Sequence, residues 1–216
     1  MEKIREHKLF VIATSIITLL PIVVGVVLWN RLPEQVATHF GSSGTPNDWS
    51  PRGFTVFVLP IFLLAVHLIC VFATAADPKN KWINQTVFKI VGCIAPLCSI
   101  ACAVGIYGYE LGIEEANSLT TVKCIAGIII VVVGNYLPKC RQNYTIGIKL
   151  PWTLEDEDIW NRTHRFTGWL WIICGVLFII EGFLGFGGVW FPFVDMAVMF
   201  IVPIAYSLVI FMRSED

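Results

Sequence analysis

Six stretches of this chain each run for about 20 residues with almost no charge, the length a helix needs to cross the hydrocarbon core of a bilayer. They cover residues 9–29, 54–76, 90–109, 119–137, 168–186 and 189–212. A water-soluble globule of 216 residues could not hide so much apolar surface. Composition agrees: 56% of the residues are hydrophobic and 14% charged, against about 25% charged in soluble proteins. In lipid, backbone polar groups must be satisfied within the segment. The expected fold class is therefore all-α, a polytopic integral membrane bundle of six transmembrane helices. A net charge of −1 excludes a basic nucleic-acid binder and an acidic tail.

Lysine and arginine divide unevenly between the two sides. The N-terminal tail (Lys3, Arg5, Lys8), the second loop (Lys79, Lys81), the fourth loop (Lys139, Arg141, Lys149, Arg162, Arg165) and Arg213 share one side, with eleven of the 15 basic residues. Arg31 and Arg52 fall on the other. Lys89 and Lys123 lie near helix ends, and Lys89 can snorkel to the interface. The positive-inside rule then predicts both termini in the cytoplasm. The first span is full length and is expected to remain as a helix, not to act as a cleaved signal. The organisation read from this order is an N-terminal part, 1–76, and a four-helix part, 86–212, forming one structural unit.

The seven cysteines lie in or beside apolar runs without paired spacing, so they read as small apolar filler, with no metal or cofactor expected. Asn30-Arg31-Leu32-Pro33 and Asn135-Tyr136-Leu137-Pro138 close the first and fourth spans alike. Either an inverted repeat or a shared helix-stop signal explains them. Pro21, Pro60, Pro96, Pro192 and Pro203 mark kinks or hinges. There is no HExxH, no GxSxG and no phosphate-binding glycine loop, so no enzyme is expected.

Two loops are too long to be plain connectors, and long ordered loops tend to carry function. The outer one, 30–53, holds Pro33, His39-Phe40 and then Gly41-Ser42-Ser43-Gly44-Thr45-Pro46-Asn47-Asp48-Trp49, which is turn chemistry. A short hairpin or compact loop clasped by Phe40 and Trp49 is expected. His39 reads as a framework hydrogen bond or as a ligand contact. In the inner loop, 138–167, Thr153 followed by Asp156 predicts a helix start. Four acids crowd its first turns, while Arg162, His164 and Arg165 sit near its end, an order the helix dipole favours. This helix should run into the fifth span at Gly168, with Ile159, Trp160, Thr163, His164 and Phe166 against the membrane surface. It serves as a rigid basic connector or as a recognition surface.

Charged groups within the bilayer cost about 2.5–3.5 kcal/mol on insertion scales, which singles out Lys123, Glu181 and Asp195. Glu181 and Asp195 flank the last turn at comparable distances, predicting similar depth in the outer third, with Lys123 as counter-charge. They form a structural ion pair or protonated acid, or else a proton or cation site or an acidic contact for a cationic peptide. His67 reads as a helix–helix hydrogen bond.

The stretch Gly134-Asn135-Tyr136-Leu137-Pro138-Lys139, with Asn143, Ile146-Gly147-Ile148-Lys149 and Pro151-Trp152-Thr153-Leu154, closely resembles the SdpI family. So does Trp160-Asn161-Arg162-Thr163-His164-Arg165 with Gly168-Trp169. Lys149 stands where many relatives have arginine, and keeps the charge. The outer loop, through Pro33, His39-Phe40, Gly44, Pro46 and Trp49, resembles the short uncharacterised domain often found ahead of the SdpI domain. Together the two resemblances reach over nearly the whole chain. They imply a bacterial cell-membrane protein giving immunity to a secreted antimicrobial peptide toxin. They also imply recruitment of a small cytoplasmic transcriptional repressor to the inner loop. Beyond the toxin, the repressor and the lipid bilayer, no partner is implied, and no direct nucleic-acid binding. The rival reading, drawn from the buried carboxylates and the repeat, is a small transporter or channel-like module.

Overall fold

The computed structural model describes residues 2–41, 45–79, 85–113 and 119–214; Gly44 and Lys81 lie outside them. A short helix, α1 (Glu2–Glu6), leads into α2 (Lys8–Val27). An antiparallel hairpin of β1 (Gln35–Phe40) and β2 (Pro46–Pro51) follows. A π-helical turn, Phe54–Val58, opens directly into α3 (Leu59–Ala76), and then come α4 (Gln85–Glu110) and α5 (Leu119–Tyr136). After the 3-10 turn Leu137–Lys139 and an irregular loop, the chain forms α6 (Pro151–Glu155), α7 (Glu157–Leu184) and α8 (Phe191–Met212). Six helices are long and apolar enough to cross a membrane, at the six places expected. Their outward faces carry exposed Ile61, Phe62, Ile173, Phe183 and Ile201, a lateral surface suited to hydrocarbon. The chain is a multi-pass membrane protein, with a small hairpin added to its helices.

Packing divides into two groups of three, α2–α3–α4 and α5–α7–α8, joined by α4 against α5. The α5–α7 seam is the closest. A Cβ added to Gly127 would lie 2.6 Å from the Gly175 carbonyl oxygen, and one on Gly134 would lie 2.9 Å from that of Gly168. On each helix the paired glycines are one heptad apart, so an antiparallel pair keeps its small residues in register over two layers. Without a hydrophobic driving force between helices in lipid, such close backbone approach supplies the attraction. The other group relies more on polar stitches. Ser99 Oγ donates to the Thr18 carbonyl at 2.8 Å and Tyr107 Oη to that of Pro21 at 3.3 Å, tying α4 to α2. His67 Nε2 lies 3.1 Å from Thr14 Oγ1, the helix–helix bond expected of it.

Two expectations about the inner loop fail. The cap of α7 is Asp156, whose carboxylate accepts from Ile159 N at 2.9 Å, and not Thr153. Thr153 belongs to α6, where Pro151 opens the turn without needing an N–H and Thr153 Oγ1 accepts from Leu150 N at 2.9 Å. Nor does the start of α7 rest on the membrane. Ile159, Trp160, Thr163 and His164 are buried beneath the loop, where Trp160 and His164 find hydrogen-bond partners in the protein.

Candidate functional site

The loop between Cys140 and Leu150 has no regular structure, so its backbone groups must be satisfied individually. Three buried side chains do this. Asn143 Oδ1 accepts from Thr145 N at 2.9 Å and Ile146 N at 2.7 Å, while its Nδ2 donates to the Arg141 carbonyl. Asp77, at the end of α3, accepts from Tyr144 N at 2.8 Å and from Thr145 Oγ1 with one oxygen, and from Lys79 N with the other. His164 Nδ1 donates to the Trp160 carbonyl at 2.8 Å, and Nε2 accepts from Ile148 N at 3.0 Å. Both contacts together require a neutral imidazole in one tautomer, because a protonated ring has no lone pair for Ile148.

Rings and turns lock this arrangement. Trp160 stacks on His164 at 3.9 Å between centroids, and its Nε1 donates to the Cys140 carbonyl at 2.8 Å. Gly147 crosses directly over the imidazole with φ of 117°, and a Cβ there would stand 2.2 Å from His164 Nε2. Gln142 donates to the Thr153 and Leu154 carbonyls and accepts from Lys79 Nζ. Trp152 Nε1 donates to Ser207 Oγ at 3.1 Å and the ring stacks on Phe211, fastening α6 to α8. Burial pushes the Cys140 thiol up to about 11, so it stays protonated at neutral pH. Burial likewise holds the Lys3 ammonium of α1 below its ordinary value, against the attraction of Glu6 and Asp77.

The residues singled out in this loop therefore separate into two sets. Asn143, Gly147, Thr153, Trp160 and His164 form the interior of the knot. Pro138 packs on Gly168, where an added Cβ would meet its ring at 2.6 Å. Asn135, Lys149, Pro151, Arg162 and Arg165 point outward. Of these, Lys149 Nζ reaches the Thr145 carbonyl and Arg162 pairs loosely with Asp158 at 3.6 Å. A notch of about 230 Å³, lined by Lys79, Arg141, Gln142 and Glu157, opens beside them. Sequence reading missed Asp77 and Gln142. In the sequence Asp77 is merely the one acid of the short second loop, beside Lys79 and Lys81.

At the opposite end, the hairpin is held at its base. Val36 and Ala37 are buried, and Val36 packs with Leu32, Val56, Ile106 and Tyr107. Glu110 Oε1 accepts from Ala37 N at 2.7 Å. Arg52 donates to the Trp29 and Leu32 carbonyls and lies 4.3 Å above the Trp29 ring. The expected clasp does not form. Phe40 packs edge-on against Tyr109 of α4 and pairs in register with Pro46, while Trp49 is 51% exposed and pairs with Ala37. Phe40 and Trp49 thus sit in different pairs along the hairpin, and the register irregularity at His39 lies between them. His39 hydrogen-bonds Asn47 across the hairpin, and Pro33 lies exposed in the turn before β1.

Within the bundle, Lys123 Nζ meets Glu181 Oε2 at 2.6 Å, the counter-charge role expected. Asp195 sits elsewhere, beside the Cys174 thiol. Cys174 precedes Glu181 by seven residues, about 10 Å along α7, so the two acids do not share a depth.

Residues 139–207 match the SdpI/YfhL protein family, and residues 16–64 match a domain of unknown function, DUF1648. The inner match begins at Lys139, so Gly134 to Pro138 precede it, and the two matches leave the middle of the chain uncovered. The chain is 26% identical over 173 residues to the Immunity protein SdpI of Bacillus subtilis (strain 168), covering 80% of this chain and 81% of that relative. No solved structure matches. Asn143, Gly147, Trp160 and His164 thus lie within the residues that match the SdpI/YfhL protein family and the hairpin within those that match DUF1648, while Asp77 lies in neither match.

Proposed function

We propose that this chain is a bacterial membrane immunity protein that protects its host from a secreted antimicrobial peptide toxin. In the same proposal it reports the toxin by recruiting a small cytoplasmic transcriptional repressor to the face carrying Lys149, Pro151, Arg162 and Arg165. The observation that carries the first part is the likeness to Immunity protein SdpI, which extends over four fifths of both chains and not over one motif. In this reading the basic end faces the cytoplasm, as the lysine and arginine asymmetry requires, and the hairpin faces outward. The parts 1–76 and 86–212 act as one unit.

The geometry of α4 supports coupling between the two ends. Its 26 residues reach about 39 Å. Glu110 and Tyr109 hold the hairpin at one end, and Val87 packs with Cys140 and Ile146 at the other. A toxin that binds one tilt of α4 better than another would shift how the knot is presented, and only such differential affinity can transmit a signal. Pro96 gives the helix a place to bend.

Membrane fractionation tests this directly. A DNA-binding repressor should enter the membrane fraction only with toxin present, and Arg162→Glu with Lys149→Glu should prevent it while protein levels hold. Survival on toxin without the gene would sink the immunity reading itself. Cysteine introduced at Lys149 should resist membrane-impermeant thiol reagents in whole cells. A small transporter is the second reading, supported by Asp195 Oδ2, which is buried and has no hydrogen-bond partner among the described residues. Flux in reconstituted vesicles that vanished with Asp195→Asn would favour it.

A further inference from the structure

Two grooves open between helices on the lateral, lipid-facing surface, and they differ in one respect. The first runs between α4 and α5, with a volume of about 290 Å³, past Thr86, Lys89, Cys93, Leu97, Ile128 and Val132. The second, of about 410 Å³, lies between α2 and α4 and has only uncharged residues, among them Leu20, Val24, Ile100 and Val104. Both are clefts in a surface that hydrocarbon must fill. Only the first has a cation at its mouth.

Lys89 lies in the second turn of α4, and its side of the groove adjoins the end of the bundle where Lys79, Lys139 and Arg141 collect. Among the described residues no carboxylate pairs with it. An unpaired ammonium at this depth snorkels toward the headgroup layer. There it meets phosphate, while the apolar groove extends from Lys89 toward Leu97, about 12 Å along the helix. Leu97, Ile128 and Val132 remain 40–52% exposed along that path, so the wall is unfilled by protein.

We propose that the α4–α5 groove holds one acyl chain of an anionic phospholipid whose phosphate is bound by Lys89. The occupant is a lipid and not a free phosphate, because apolar walls make up nearly the entire site. It is an anionic lipid because a zwitterionic headgroup brings its own cation to the phosphate and gains less from a second. The site also wedges between α4 and α5, the contact that joins the two three-helix groups, so its occupancy would stiffen that junction.

The test uses full-length protein, purified in mild detergent, stripped of lipid and then offered equal phosphatidylglycerol and phosphatidylcholine with matched chains. Native mass spectrometry counts what is retained. Phosphatidylglycerol should be retained with about a fivefold preference, the effect of one lysine near an anionic surface. Lys89→Gln should erase the preference. Leu97→Trp should fill the groove and reduce retention of both lipids, whereas Val104→Trp, which fills the other groove, should leave the preference intact. Equal retention of the two lipids by the native chain, or an undiminished preference in Lys89→Gln, overturns the proposal. Lys89 is exposed and packs no core, so that variant remains informative if Leu97→Trp fails to fold.

Discussion

The two long loops close opposite ends of the bundle by different means. Around residues 140–164 a set of polar side chains is turned inward. Asp77, Asn143, Thr153 and His164 are each no more than 5% exposed, and each is hydrogen-bonded to the backbone of a neighbouring segment. In the hairpin only the base is buried, while His39, Asp48 and Trp49 face solvent. A buried polar network with its members hydrogen-bonded favours one conformation, and a segment with few buried contacts opens at low free energy. The knot is therefore the stiffer of the two elements and the hairpin the more adaptable. An outward sampling element and a rigid reporting element are what a receptor of the proposed kind needs.

The contrast breaks most sharply at Gly147. A valine there must leave a backbone conformation that L side chains rarely adopt, about 1–3 kcal/mol, and must displace His164, stranding the Ile148 N–H for about 1–3 kcal/mol more. The expected loss is about 4 kcal/mol, read as a fall in the thermal midpoint of detergent-solubilised protein. A shift no larger than that of a surface substitution would mean the knot is not rigid. Asp77→Ala comes next, at about 3 kcal/mol, because the Tyr144 N–H and Thr145 hydroxyl lose a buried, charged acceptor. Asp77→Asn should recover part of that, since one oxygen still accepts.

Much of this was legible beforehand, for identifiable reasons. Span lengths follow from bilayer thickness, so all six helices were predictable from hydropathy. The turn chemistry of 41–49 pointed to a hairpin or a compact loop, of which the hairpin formed, and Lys123 and Glu181 were paired by the rule that intramembrane charges seek partners. The knot was not legible, because Asp77 lies over 60 residues from Tyr144 and Thr145 and no local pattern links them. The glycine register of α5 and α7 was written in the sequence as heptads, but its meaning appears only once the helices are antiparallel neighbours. Asp156 competed with Thr153 for the cap of α7, and Pro151 decided the matter by starting a separate turn first.

On the hairpin side the effects on stability should be small. Glu110→Gln keeps an acceptor for Ala37 N but loses its charge, a change of about 1 kcal/mol. Faster hydrogen exchange at Ala37, with the core amides of α4 unchanged, would register it. Exchange as slow as in the native chain would mean the hairpin is held by its apolar base alone.

Trp49 should matter least to folding and most to recognition. It is half exposed, and among the described residues no aromatic ring packs against it. Its partner in the strand register, Ala37, keeps its own bond to Glu110 whichever side chain stands opposite. Trp49→Ala should therefore change stability by less than about 0.5 kcal/mol, as surface substitutions do. Yet a large exposed indole on an adaptable hairpin is the type of anchor that dominates binding energy when a partner covers it. Toxin survival assays on cells with matched levels of native and Trp49→Ala protein separate the two roles. Protection should drop although the thermal midpoint holds. Full protection would move toxin recognition off the hairpin's exposed face and toward the ends of the helices beneath it, and the assignment of the hairpin as the sampling element would no longer stand.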